Sequence, residues 1–146
     1  MTRHFEDFTP GEVIGCGSAT VDEAEMLAFA RRFDPQPFHV DPQAAARSPF
    51  GGIIASGFFT AALWMRLYAD AVLADSTSQG SPGMSELRWL SPVRAGDVLS
   101  GRITVLGAAP SATRPGRGTV MLRGELLRGE EVVLRCEFRG LFARRE

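Results

Sequence analysis

The sequence predicts an α+β fold in which an antiparallel sheet wraps one long buried helix. Two observations predict it. From Ile53 to about Asp70 the residues are apolar on most helical faces, and a helix apolar all round has to be enclosed. From Glu86 to Phe142 apolar and polar residues alternate in several runs separated by turn residues, which is the period of half-buried strands. Such a sheet must cover its apolar face, and the helix is the natural cover. With 146 residues, 45% of them hydrophobic, the chain is expected to form a single domain over 1–146 with a substantial core.

Phe8-Thr9-Pro10-Gly11-Glu12 reads as a turn into a first strand over Val13 to Ala19. Thr20-Val21-Asp22-Glu23 has the spacing of a capping box. Met26, Phe29, Ala30 and Phe33 then recur at i, i+3, i+4 and i+7, the stripe of an amphipathic helix. That helix must end near Asp34, because a residue before proline is pushed out of the helical region. Asp34-Pro35-Gln36-Pro37 is therefore expected to be extended and stiff. Asp41-Pro42 restarts a short helix, with Asp41 as its cap and Pro42 in its first position. Ser48 to Gly52 breaks it, and the long helix follows from Ile53. Ser76 to Gly83 is a loop, and strands are expected over Glu86–Leu90, Val98–Leu106, Val120–Leu126 and Leu134–Phe142. Ala108 to Gly118, rich in Pro and Gly, reads as a flexible loop.

Composition excludes several functions. A net charge of −1 and the lack of a basic stripe leave nothing to attract nucleic acid or anionic lipid. The sixteen basic residues are all Arg, which removes lysine Schiff-base chemistry and the P-loop. The longest apolar run stops at Met65, short of a membrane span. No apolar leader follows Met1, so a cytoplasmic location is expected. Cys16 and Cys136 stand far apart in strand-like runs and read as buried free thiols, and two Cys with two His do not make a zinc-finger spacing, so no metal site is expected.

The chemistry-bearing segment is Phe33-Asp34-Pro35-Gln36-Pro37-Phe38-His39-Val40-Asp41. His39 is one of two histidines and sits on a proline-stiffened loop; an imidazole exchanges protons near neutrality. Spacing alone does not bring Asp34 to His39: five residues of extended chain span roughly 15 Å. The two meet only if the chain turns near Phe38. Gly52 and Gly57 have two readings, close packing against the sheet or close approach of a ligand carbonyl to amides at the start of the helix. Ser56 either donates to the same ligand or bonds back into the helix.

Asp34-Pro35-Gln36-Pro37-Phe38-His39, then Phe50-Gly51-Gly52-Ile53-Ile54-Ala55-Ser56-Gly57, and later Leu90-Ser91-Pro92-Val93-Arg94-Ala95-Gly96-Asp97 resemble the MaoC-like dehydratases. That family includes the (R)-specific enoyl-CoA hydratases and adopts the hotdog fold. The resemblance implies that Asp34 and His39 are the catalytic pair. They would activate a water that adds to C3 of a trans-2-enoyl thioester and return a proton to C2. The Gly57 amide would bind the thioester oxygen, with Ser56, Gln36 and Gly52 beside the substrate. It also implies an acyl-CoA substrate, no separate cofactor, and a homodimer or higher homo-oligomer. Two residues depart from the family pattern: Gln36 stands where Asn is usual, and Ser56 where His is usual. Thioester hydrolysis, or acyl-CoA binding without turnover, are the alternative functions on the same fold.

Overall fold

The computed structural model describes residues 1–146. Five antiparallel strands form one sheet in the order β1-β3-β4-β5-β2. They are β1 (Val13–Thr20), β2 (Met84–Trp89), β3 (Val98–Pro110), β4 (Arg117–Arg128) and β5 (Glu131–Ala143). Between β1 and β2 lie α1 (Glu23–Phe33), α2 (Pro37–Val40), α3 (Pro42–Ala46) and α4 (Gly57–Tyr68), the last continuing as a π-helical turn over Ala69–Leu73. No helix is long and apolar enough to cross a membrane.

The alternation in β3 to β5 sorts the residues as the period requires. Leu99, Ile103, Val105, Val120, Leu122, Leu134 and Phe142 are each at most 1% exposed and build the inner face. The helix α4 lays Phe59, Trp64, Leu67 and Tyr68 onto that face. Trp64 stacks on Tyr68 with ring centroids 5.4 Å apart, and both meet Phe138 edge-on. Contact this close needs a strand without side chains beneath the indole. Gly124 supplies it: a Cβ there would lie 2.3 Å from the Trp64 ring. On the outer face Glu125 accepts from Arg102 Nε at 2.9 Å and Arg135 Nη2 at 3.4 Å, so these arginines are cross-strand ion-pair partners as well as a solvated surface.

Several boundaries differ from the sequence expectation, each for a backbone reason. The cap of α1 is Asp22, whose carboxylate accepts the Glu25 N–H at 2.9 Å. Thr20 is still in β1, paired with Val98, so it is not free to cap. The extended stretch before α2 stops at Gln36, since Pro37 occupies the first helical position, where its missing N–H costs nothing. The long helix starts at Gly57 rather than Ile53: the Ile54 and Ala55 N–H groups donate to the Phe38 and Val93 carbonyls. The expected loop over Ala108–Gly118 is trimmed at both ends, since β3 runs on to Pro110 and β4 begins at Arg117 with Pro110 paired to Gly118, which leaves 111–116 as the loop. Phe33 and Phe58, placed on apolar stripes, are 61% and 63% exposed. Asp41 caps α3 as expected, accepting from Gln43 and Ala44 N–H.

Gly124→Ala is expected to lower stability by about 1–3 kcal/mol, because the added methyl forces Trp64 off the sheet. Urea unfolding should show a lower midpoint at an unchanged slope.

Candidate active site

The site is assembled by a tight turn in α2. Asp34 ends α1 because Pro35 follows it, and Gln36 and Pro37 then restart a helical turn that lasts until Val40. That turn, with the His39 N–H donating to the Gln36 carbonyl at 2.9 Å, folds His39 back toward Asp34. The imidazole Nε2 stands 3.2 Å from Asp34 Oδ2. The sequence left this meeting conditional on a turn near Phe38, and α2 is that turn.

The other ring nitrogen is fixed from across the molecule. His39 Nδ1 lies 2.7 Å from the carbonyl oxygen of Ile54. A carbonyl can only accept, so Nδ1 carries a hydrogen, and Nε2 is the ring nitrogen that faces Asp34. Ile54 belongs to an extended strap, 53–56, pinned to α2 and to the segment before β3 through the two backbone bonds already described. His39 is 5% exposed.

Both oxygens of Asp34 are engaged. Ser56 Oγ donates to Oδ2 at 2.7 Å, and Gln36 Nε2 donates to Oδ1 at 2.8 Å. Burial pushes this carboxyl up, but the Gln36 amide, the Ser56 hydroxyl and the His39 ring together outweigh it and hold it below the ordinary carboxylate range. Ser56 occupies the cap position of α4 yet makes no capping bond, because its hydroxyl is committed to Asp34. The first amides of α4, beginning with Gly57, therefore keep their helix-terminal N–H groups uncapped by that side chain.

A cavity of about 430 Å³ opens over the pair. Asp34, Gln36, His39 and Gly57 line one side of it, and Phe38, Phe50, Phe58 and Trp89 give it an aromatic lining. Gly52 is not part of this lining. It lies against the Arg94 guanidinium, which would stand 3.3 Å from a Cβ at that position and whose Nη2 donates to the Phe50 carbonyl at 2.6 Å. Ser56 is fully buried and reaches the site through Asp34 alone.

Sequence reasoning missed Trp89 and Arg128. Trp89 Nε1 donates to the Gly57 carbonyl at 2.7 Å, and its ring would lie 2.6 Å from a Cβ on Gly57. That contact, not a mid-helix role, is why position 57 takes glycine. A tryptophan ending the alternating run at Glu86–Leu90 was the available signal. Arg128 reads as surface, but it donates to the Pro92 carbonyl, Ser91 Oγ and Asp97, and so tethers the segment that closes the cavity. No cluster of three or more His, Cys, Asp or Glu side chains is placed to hold a metal ion.

A five-stranded antiparallel sheet packed on one long helix places the chain in the hotdog fold class. Residues 7–123 match the MaoC-like domain family, and the chain belongs to it. It is similar to the crystal structure of the MaoC-like dehydratase from Rhodospirillum rubrum, at 40% identity and a TM-score of 0.89 over 98% of each chain. It is 32% identical to the uncharacterized protein YdeM of Bacillus subtilis, over 80% of this chain and 83% of that one. It is 27% identical to the (R)-specific enoyl-CoA hydratase of Rhodospirillum rubrum, over 86% of this chain and 90% of that one. Against nodulation protein N of Rhizobium meliloti, the chain spans only 56% of the relative's length.

Because the folded Asp34 carboxyl titrates below its unfolded value of about 3.9, it contributes stability above that pH. The contribution is lost as pH falls through the folded value. Urea unfolding between about pH 6 and pH 3 should therefore show a steeper loss for the wild type than for Asp34→Asn, with Ser56→Ala in between. Equal pH slopes for all three proteins would contradict this.

Proposed function

We propose that this protein adds water across the C2–C3 double bond of a trans-2-enoyl thioester, and removes it in the reverse direction. The observation that carries the reading is the convergence of Asp34, His39 and Gly57, the first residue of α4, on one cavity. Asp34 Oδ2 and His39 Nε2, 3.2 Å apart, can both reach one water molecule, and Asp34, ionised near neutrality, is free to accept a proton from it as the new C–O bond forms. As the water oxygen bonds to C3, its proton passes to the pair and the π electrons move to the thioester oxygen. The Gly57 N–H, at the positive end of α4, favours the charge developing there. The pair then returns a proton to C2, so no proton is gained or lost overall.

The Ile54 carbonyl keeps His39 in one tautomer and one orientation, which aligns the acid–base group before substrate arrives. The aromatic lining suits an apolar acyl group and limits water around the enolate. The reaction is acid–base throughout and asks for no cofactor; a CoA thioester is the small-molecule partner in this reading, and the setting is cytoplasmic. The sheet ends in two open edges, β1 and the six-residue β2, and a homodimer that covers an edge is part of the same proposal. Light scattering on the purified protein should give twice the mass of the 15.8 kDa chain.

Purified protein should consume crotonyl-CoA, seen as loss of the enoyl absorbance band. Asp34→Asn and His39→Ala should each lower kcat by about 10²–10⁴-fold with unchanged circular dichroism. Release of free thiol from saturated acyl-CoA would mark hydrolysis instead, and tight binding of both without turnover would mark a binding protein.

A further inference from the structure

Gln36 is the residue at which this chain departs from the expected pattern inside the catalytic loop, and the structure gives it three bonds to its two neighbours there. Its N–H donates to the Asp34 carbonyl at 2.9 Å, its carbonyl accepts the His39 N–H at 2.9 Å, and its side-chain amide donates to Asp34 Oδ1 at 2.8 Å. It also occupies the cap position of α2 but makes no side-chain capping bond. We propose that Gln36 is a positioning residue that brackets Asp34 against His39, and that its extra methylene, relative to Asn, is what moves the amide from capping α2 to holding the carboxylate.

The physical argument is one of reach and competition. Asn is among the preferred helix caps because its short side chain folds back onto the amides of the first turn. Gln is not, and its longer side chain extends past the turn. Here that extension ends on Oδ1, the carboxylate oxygen facing away from His39. Oδ2 is left to meet the imidazole and Ser56. With one neutral donor on each oxygen, rotation of the carboxylate about its last bond would break both contacts, so the face presented to a substrate water is set. The amide also favours the ionised carboxylate. The groups facing Asp34 are His39 from α2, Ser56 from the start of α4 and Gln36 itself; His39 is the only titratable one among them.

This inference rests on the proposed hydration chemistry for its consequence, but its geometry can be read without turnover. The experiment follows the Asp34 side-chain carboxyl by ¹³C NMR titration in the wild type, Gln36→Met and Gln36→Asn, alongside the pH dependence of crotonyl-CoA hydration. Gln36→Met keeps the length and loses the donor, and should raise the Asp34 titration point. Gln36→Asn keeps the donor and loses the reach, and should raise it as well. In both variants kcat/KM at the acidic end should fall by about 2- to 10-fold, the worth of one hydrogen bond, with the neutral plateau less affected. Gln36 is exposed, so thermal unfolding should shift little. An Asp34 titration point that does not move in Gln36→Met overturns the proposal, as does one that moves in Met but stays wild-type in Asn. Titration shifts in the two variants, with a wild type that never hydrates an enoyl-CoA, leave the bracket standing and remove the hydratase reading instead.

Discussion

The bond from His39 Nδ1 to the Ile54 carbonyl is the constraint on which the site depends. It exists only because α4 begins late. Had the helix started at Ile53, the Ile54 carbonyl would be taken up by the amide four residues on, and the imidazole would have no buried acceptor. Instead the strap 53–56 runs extended, its own N–H groups satisfied by Phe38 and Val93. The same late start puts Ser56 at the helix cap and Gly57 in the first turn. One displaced helix boundary thus fixes a tautomer, supplies a donor to Asp34 and exposes helix-terminal amides beside both.

The carboxylate and the ring are held in different ways, and the difference is functional. His39 is almost fully buried and oriented by one strong backbone acceptor. Asp34 is partly open to the cavity and held by two neutral side-chain donors. Neutral donors orient a carboxylate and favour its ionised form at a smaller loss of basicity than a full counter-charge on the same oxygen would cause. An arginine in either place would hold the group harder and dull it more. The polar wall of the cavity holds no arginine; Arg94 and Arg128 instead brace its edges through backbone carbonyls.

Much of this was legible in the sequence, and the parts that were not share a cause. The buried helix, the alternating strands and the Asp34-to-His39 loop follow from periodicity and from proline's effect on its neighbours. The start of α4 did not, because Ile53-Ile54-Ala55 is as apolar as the helix that follows; it is long-range backbone pairing that keeps it extended. The Asp22 cap was hidden behind a good capping-box pattern, since only pairing with β3 shows that Thr20 is still strand. Trp89 and Arg128 act through contacts 32 and 36 residues away in sequence, which no local spacing reveals. Gln36 was visible as an oddity, but whether its amide would cap a helix or reach a carboxylate is a matter of angles.

The two tryptophans divide the molecule between them. Trp64 lies sealed at 2% exposure between helix and sheet, while Trp89 is 44% exposed and forms part of the cavity wall. Intrinsic fluorescence therefore carries two separable signals. A soluble quencher reaches the indole at the cavity and not the one in the core, so occupancy of the pocket and integrity of the interior can be followed in one cuvette without attaching a dye.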